Sequence, residues 1–331
     1  MKLHPFEKEW ASKPYNAFPV WFKKKYGERY QKISIDAGFT CPNRDGKVAE
    51  GGCTYCNNQS FTPSYCITQD QLYQQISEGI VFFSKRYRRA SKFLAYLQSY
   101  SNTYKSLPDL KFIYEQLLSH PNVHGLVIAT RPDCINEPLV DYLEELAKEV
   151  MIFLEIGIES CYNGTLKSVN RGHTFEQTQS ALKLVQGRGI HITGHLLFGL
   201  PGESHEMMLD QADIISELPL DSLKFHQLQI IKGTKMAKQY LASPDTYHLF
   251  EFDEYLDFII SFLERLRPEI TIQRFFNETP PRYRLAPDWG LVRSDVLTAE
   301  LEKKMIENGT WQGRSYNKRH NLLVTPFLKL L

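Results

Sequence analysis

The chain has 331 residues, 42% hydrophobic and 23% charged, with a formal net charge of +1. It is long enough for one large α/β barrel or two ordinary domains, and too evenly charged for a global electrostatic grip on nucleic acid. Its first residues, MKLHPFEKEW, lack the apolar core of a secretory signal and no run approaches a membrane span, so a cytoplasmic location with reduced cysteines is expected.

Six apolar, β-rich runs appear in order: KISIDAG (32–38), FLAYLQSY (93–100), GLVIAT (125–130), MIFLEIGIES (151–160), HITGHLLFGL (191–200) and SLKFHQLQII (222–231). From the second onward they start about 30 to 40 residues apart, the length of a βαβ unit. Between them, Asp70–Arg89, Leu110–His120, Glu137–Glu149, Thr174–Arg188 and His205–Leu218 carry apolar residues at helical spacing. Thr174 precedes Glu176 and Gln177 as an N-cap, and Gly189 is expected as the C′ residue of that helix. Near-continuous apolar strands alternating with helices indicate a parallel sheet. Six units fall short of an eight-fold barrel. The expected fold is therefore an α/β incomplete (β/α)6 TIM-like barrel, with a doubly wound open sheet as its rival.

Beyond residue 250 the pattern changes. FDEYLDFIISFLERL reads as an amphipathic helix and EITIQRFF as a strand. A loop with Pro280, Pro281 and Pro287, a helix over about 297–308 and a basic-aromatic tail follow. The expected organisation is an N-terminal extension (1–30), a core barrel (31–240) and a C-terminal α/β extension (241–331).

The loop after the first strand, CPNRDGKVAEGGCTYCNNQSF (41–61), holds Cys41, Cys53 and Cys56. It leaves the carboxyl end of that strand, where parallel α/β folds carry their chemistry. Gly46, Gly51 and Gly52 allow tight bends, and Tyr55 stands where it can shield a bound group. Three thiolates suit either zinc, which wants a fourth ligand in a structural site, or three irons of a [4Fe–4S] cluster with one iron left open. Three unrelated cysteines are the bland alternative.

The ordered motifs resemble the radical SAM superfamily. Its usual Cys-x3-Cys-x2-Cys, with an aromatic before the last cysteine, is widened here to eleven residues in the first gap. Similar widening marks the branch containing the catalytic subunit of the Elongator complex and a group of small bacterial proteins near it. ATRPDCI (129–135) resembles that branch's third-strand motif. LEIGIES with NRGHT (170–174) resembles its fourth-strand motif, GHLLFGLPGE (194–203) its fifth and LQIIKGTKMAK (228–238) its sixth. The glycine-rich second-strand motif is replaced by LQSYSNT (97–103), and no counterpart of the Elongator acetyltransferase domain is expected.

The resemblance implies a half-open barrel holding a [4Fe–4S] cluster and S-adenosylmethionine, whose reductive cleavage gives methionine and a 5′-deoxyadenosyl radical. It implies Cys41, Cys53 and Cys56 as the cluster ligands. Cofactor contacts are expected from Tyr55, from Gln98 and Ser99, from Thr130 and Arg131, and from Glu159 and Ser160 at successive strand ends. Arg171, His195, Gly199 and Leu200 complete that set. Arg131 can instead pair with Asp133, and His195 can be a satisfied core histidine. Glu155, at the parity of Glu159, is expected to point inward, and His173 accompanies Arg171. Cys66, Cys134 and Cys161 read as packed free thiols.

Four basic-aromatic stretches, WFKKKYGERY (21–30), KRYRRASK (85–92), RYR (282–284) and GRSYNKRH (313–320), suit RNA phosphates and bases. With the resemblance they imply tRNA as partner, an electron donor such as flavodoxin or ferredoxin, and radical chemistry on the C5 side chain of the wobble uridine. A small-molecule or peptide substrate is the enzymatic alternative. A zinc-stabilised RNA-binding module is the non-enzymatic one.

Overall fold

The computed structural model describes residues 5–60, 62–63, 65–66, 71–84, 91–290 and 293–316. In chain order the elements are α1 (Phe18–Tyr26), β1 (Gln31–Ile35), α2 (Leu72–Ser84), β2 (Phe93–Leu97), α3 (Leu107–Leu118), β3 (Val123–Thr130) and α4 (Glu137–Ala147). Next come β4 (Met151–Glu159), α5 (Asn163–Ser168), α6 (Phe175–Val185), β5 (His191–Phe198), α7 (His205–Ser216), β6 (Ser222–Gln227) and β7 (Ile230–Ile231). The last are α8 (Lys235–Ala242), α9 (Phe252–Arg265), β8 (Thr271–Arg274), β9 (Arg284–Ala286) and α10 (Ser294–Glu307).

Seven strands form one parallel sheet in the order β1-β2-β3-β4-β5-β6-β8. The sheet curls until its edge strands meet through side chains: Lys32 Nζ on β1 donates to Gln273 Oε1 on β8 at 3.0 Å. This is the incomplete TIM-like barrel, with a seventh strand supplied by EITIQRFF. The outer faces of the strands bury Ile33, Ile156, Phe198 and Phe225 beneath the helices. Phe258 and Phe262 of α9 lie edge-on to Phe198, with centroids 4.8 and 5.1 Å away. Each such aromatic contributes roughly 1.5–3 kcal/mol by burial alone.

Three details differ from the sequence expectations. SLKFHQLQII divides after Gln227: Leu228 N–H bonds the Phe198 carbonyl at 2.8 Å, and Ile230–Ile231 turns away to pair antiparallel with β9. Gln186 is the C-cap of α6 and Gly187 takes the left-handed position (φ +79°), ahead of Gly189 (φ +72°); the Thr174–Gln177 capping box is present. Finally, part of WFKKKYGERY is helix α1, and its rings plug the amino-terminal end of the barrel. Phe22 stacks 6.0 Å from Phe153 and Trp21 lies 4.7 Å from His191, near the starts of β4 and β5. Trp21 and Phe22 thus serve the closed end, opposite the cysteine loop. Residue 70 and residues 85–89 of the first expected helix, residues 85–90 of KRYRRASK and residues 317–331 of the tail lie outside the described residues.

β3 and β4 approach closely at Gly125, where an added Cβ would overlap the Met151 carbonyl and Cβ. Gly125→Ala is expected to cost about 1–3 kcal/mol. Gly164→Ala, in helical α5 with open space around it, is expected to gain up to about 1 kcal/mol. Urea titration of both variants checks this; equal stability of Gly125→Ala and the parent would contradict the register.

Candidate active site

The loop between β1 and α2 folds over the carboxyl ends of the strands. Gly51 (φ +77°) and Gly52 (φ +80°) turn the chain there, and Gly52 N–H bonds the Asn43 carbonyl at 2.7 Å. Cys41, Cys53 and Cys56 all face one cavity of about 240 Å³, with Tyr55 between the last two. The loop is pinned from outside. Asn170 Nδ2 donates to the carbonyls of Gly52 (2.8 Å) and Glu50 (3.2 Å), and Asn43 Nδ2 donates to Asn170 O at 2.5 Å. Arg44 donates to the Cys56 carbonyl at 3.0 Å.

Buried Arg171 organises the wall beside the thiols. Its guanidinium donates to the Gly157 carbonyl at 2.7 Å and to His173 Nε2 at 3.0 Å, approaches Cys53 Sγ at 3.7 Å, and pairs with Glu159 Oε1 at 3.3 Å. Gly157 permits this: a Cβ there would strike the guanidinium. Glu159 sits at φ +68° after a register shift in the β4–β5 ladder, a strained conformation of the kind concentrated at functional sites. Burial raises its carboxyl, and Arg171 opposes that rise. Burial, then Arg171, holds His173 neutral.

The floor of the cavity is a buried ionic layer. Glu155 Oε1 accepts from Lys32 Nζ at 2.8 Å and Oε2 from Lys224 Nζ at 2.6 Å. His195 Nε2 lies 3.2 Å from the same Oε2, short of a directed hydrogen bond. Burial alone would raise the Glu155 carboxyl, but Lys224 and Lys32 hold it well below the usual carboxylate range. Burial pushes His195 down to about 4 and keeps His226, whose ring is 5.4 Å away, neutral. Tyr96 OH accepts from Lys224 at 3.2 Å.

Of the residues expected from sequence, the structure brings Cys41, Cys53, Tyr55, Cys56, Gln98, Thr130, Arg131, Glu159, Arg171 and His195 to this one cavity. Arg131 contributes as a strut: it grips Asp133 with two 2.9 Å bonds and donates to the Arg171 carbonyl at 2.7 Å. Ser99, Ser160, Gly199 and Leu200 stand behind the wall. Ser99 Oγ meets Thr62 Oγ1 at 3.2 Å, Ser160 bonds Glu203, Gly199 N–H points at Met208 Sδ and Leu200 is packed beside Leu228. Cys134 and Cys161 are buried free thiols; Cys66 is a half-buried one. Sequence reasoning missed Tyr96, His226 and Lys224, although the last two share the inward parity of Leu228. It also missed Arg44 and Asn277.

Burial pushes the Glu203 carboxyl up to about 7, against hydrogen bonds from Ser160, Thr165 and Gln211 that act to lower it. A raised carboxylate pKa means the folded chain binds the extra proton, so stability falls as pH rises from about 4.5 to about 7. Glu203→Gln is expected to flatten that fall, measured as urea midpoints at several pH values across the window; parallel curves for the two proteins would contradict it.

Three comparisons bear on identity. The radical SAM superfamily model matches residues 41–214, and the Radical_SAM C-terminal domain model matches residues 220–307. The chain is 30% identical over 318 residues to YtqA of Bacillus subtilis, covering 96% of this chain and 98% of that one. It is also 32% identical over 115 residues to the tRNA uridine(34) acetyltransferase of Methanocaldococcus infernus, covering 34% of this chain and 21% of that protein. In fold it is similar to the Elp3 structure from the same archaeon, with TM-score 0.62 and 18% identity over 86% of this chain and 64% of that one. A parallel half-barrel with three thiols at its mouth, matched by the family model over more than half its length, makes this chain a member of the radical SAM superfamily.

Proposed function

We propose that this radical SAM enzyme acts on tRNA, at the C5 side chain of the wobble uridine. The superfamily's cofactors are a [4Fe–4S] cluster and S-adenosylmethionine. The residues present fit them: three free thiols share one wall, and the buried Tyr55 hydroxyl and Asn43 Oδ1 lack partners beside it. Membership of an enzyme superfamily removes the zinc-module alternative.

In this reading Cys41, Cys53 and Cys56 hold the cluster, and Arg171 and Arg44 offset its negative charge. Tyr55 covers one side. Glu159, kept in place by Arg171, would accept from the ribose hydroxyls. Gln98 and Thr130 line the wall at the ends of β2 and β3. Ser99, Ser160, Gly199 and Leu200 support these positions from behind. Bound there and reduced by a donor such as flavodoxin or ferredoxin, the cofactors would supply 5′-deoxyadenosyl radical chemistry, the abstraction of a substrate hydrogen atom. The protein's own part is to orient the reacting groups and keep water out, which the α1 plug and the ionic floor do from below.

The similarity to a tRNA uridine(34) acetyltransferase carries the choice of tRNA. The rim supports it. Arg44 lies over Tyr100 (5.9 Å), Lys47 over Tyr104 (5.2 Å) and Lys105 over Phe39 (5.3 Å), beside the cysteine loop. Lys47 and Lys105 are exposed and Arg44 is half-buried, and such cations at the rim suit the phosphates of an RNA loop. No helix among the described residues is long and apolar enough to cross a membrane.

Comparison of tRNA nucleosides from a deletion strain and its parent is the test. A changed wobble-uridine side chain is expected, restored by the parent gene but not by Cys41→Ala, Cys53→Ala or Cys56→Ala, each of which should lose its iron and its 5′-deoxyadenosine release to background. Identical nucleoside profiles would defeat the tRNA reading.

A further inference from the structure

One wall of the cavity carries uncharged hydrogen-bonding groups that the protein leaves unpaired. Gln227 ends β6 and Gln229 follows it, Asn277 and Thr279 follow β8, and all four line the cavity. The Asn277 backbone is fully engaged. Its N–H donates to Gln227 Oε1 at 2.8 Å, and its carbonyl accepts from Gln229 Nε2 at 3.0 Å and from Gln227 Nε2 at 3.3 Å. Turning the Gln229 amide over would set oxygen against oxygen, so Nε2 stays on that carbonyl and Oε1 is left without a partner. The Thr279 hydroxyl and the Asn277 side-chain amide also lack a hydrogen-bond partner among the described residues. Gln229 and Thr279 are only 6% and 7% exposed, so bulk water does little to satisfy them. Such orphaned groups are costly, and the cost is relieved when a ligand supplies the missing partners.

The three unpaired side chains are also held in place. Gln229 is tied to the Asn277 carbonyl. Pro280 and Pro281 follow Thr279 directly and stiffen its backbone, and Glu278 accepts from the Ser294 N–H. Together the three offer an acceptor, Gln229 Oε1, and two donors, Asn277 Nδ2 and the Thr279 hydroxyl, with no charge among them. That set suits a planar, neutral edge presenting one N–H between two carbonyls. The residues also lie outside 41–214, the part matched by the superfamily model, and inside 220–307. What the superfamily shares is the cofactor chemistry, so this wall is assigned to the substrate.

We propose that Gln229, Asn277 and Thr279 form an edge-reading subsite for the substrate's base. The identity of that base rests on the tRNA reading: it is the uracil of the wobble nucleotide. Its N3–H would donate to Gln229 Oε1, and its two carbonyls would accept from Asn277 and Thr279. This grip leaves the C5–C6 edge free for chemistry. Bases splayed out of an RNA loop are read in this way, on their Watson–Crick edge. Cytosine carries an acceptor at N3 and an amine at C4, so it would set a lone pair against the Gln229 oxygen and a donor against a donor. A site built of buried hydrogen-bonding groups rejects the wrong partner because its own groups then go unpaired. Gln229 is thereby a specificity-determining residue for uridine over cytidine.

The test is binding of two full-length tRNA transcripts, identical except for uridine or cytidine at the wobble position, to the reconstituted full chain with S-adenosylmethionine present. The parent should bind the uridine form at least about tenfold more tightly, the scale of one or two hydrogen bonds. Gln229→Met, which keeps the shape and removes the acceptor, should erase the preference, and Thr279→Val should reduce it. Iron content, thermal midpoints and S-adenosylmethionine affinity should match the parent in both variants. Equal binding of the two transcripts by the parent, or a preference that survives intact in Gln229→Met or Thr279→Val, would overturn the subsite. So would S-adenosylmethionine affinity lost in Gln229→Met, which would give this edge to the cofactor's adenine. Equal binding alongside an altered wobble-uridine profile in the deletion strain would leave the tRNA reading standing. A clear uridine preference alongside an unchanged profile would sink the tRNA reading and leave the subsite.

Discussion

A half-barrel with a polar interior must neutralise what it buries, and Glu155 is where this chain does so. The carboxylate is fully buried and takes an ammonium on each oxygen, one from β1 and one from β6. Lys32 also reaches Gln273 on β8, so a single ionic layer links both edges of the curled sheet. Removing one partner of such a layer leaves an uncompensated buried charge, a loss of about 3–5 kcal/mol. The layer thus closes the sheet at mid-height and floors the cavity above it.

With the lower half sealed by ions and by the α1 aromatics, chemistry is confined to the upper end. The thiol loop, the Arg171 hub and the strained Glu159 all gather there. Arg171 ties them together, touching Cys53, Glu159 and the β4 backbone at Gly157. The interior therefore runs from an apolar plug through a charged floor to a thiol-lined mouth. The gradient suits a reactive radical that must meet one C–H bond and no water.

Much of this was legible in the sequence because strands alternate faces. Glu155 and Glu159 share a parity on β4, and the same rule on β6 places Lys224 and His226 inward, though only Glu155 was drawn from it. The cysteine spacing and the strand-end motifs led to the cavity residues from Cys41 to His195. What stayed hidden depends on contacts far apart in the chain. Arg274 on β8 meets the ring of His226, a cavity-lining residue, beside a register shift in the β6–β8 ladder, which breaks simple alternation. The helix α1 reads locally as a basic-aromatic patch, because only tertiary packing against Phe153 and His191 reveals its role. The division of SLKFHQLQII depends on β9, more than fifty residues later.

The most direct measurement is electron paramagnetic resonance of the anaerobically reconstituted, reduced chain before and after addition of S-adenosylmethionine. The expected result is a reduced [4Fe–4S] signal whose line shape changes when the nucleotide is added, with 5′-deoxyadenosine found in the same tube. A signal indifferent to the nucleotide, or stoichiometric zinc with no iron signal at all, would contradict the mouth of this barrel as a radical-generating site.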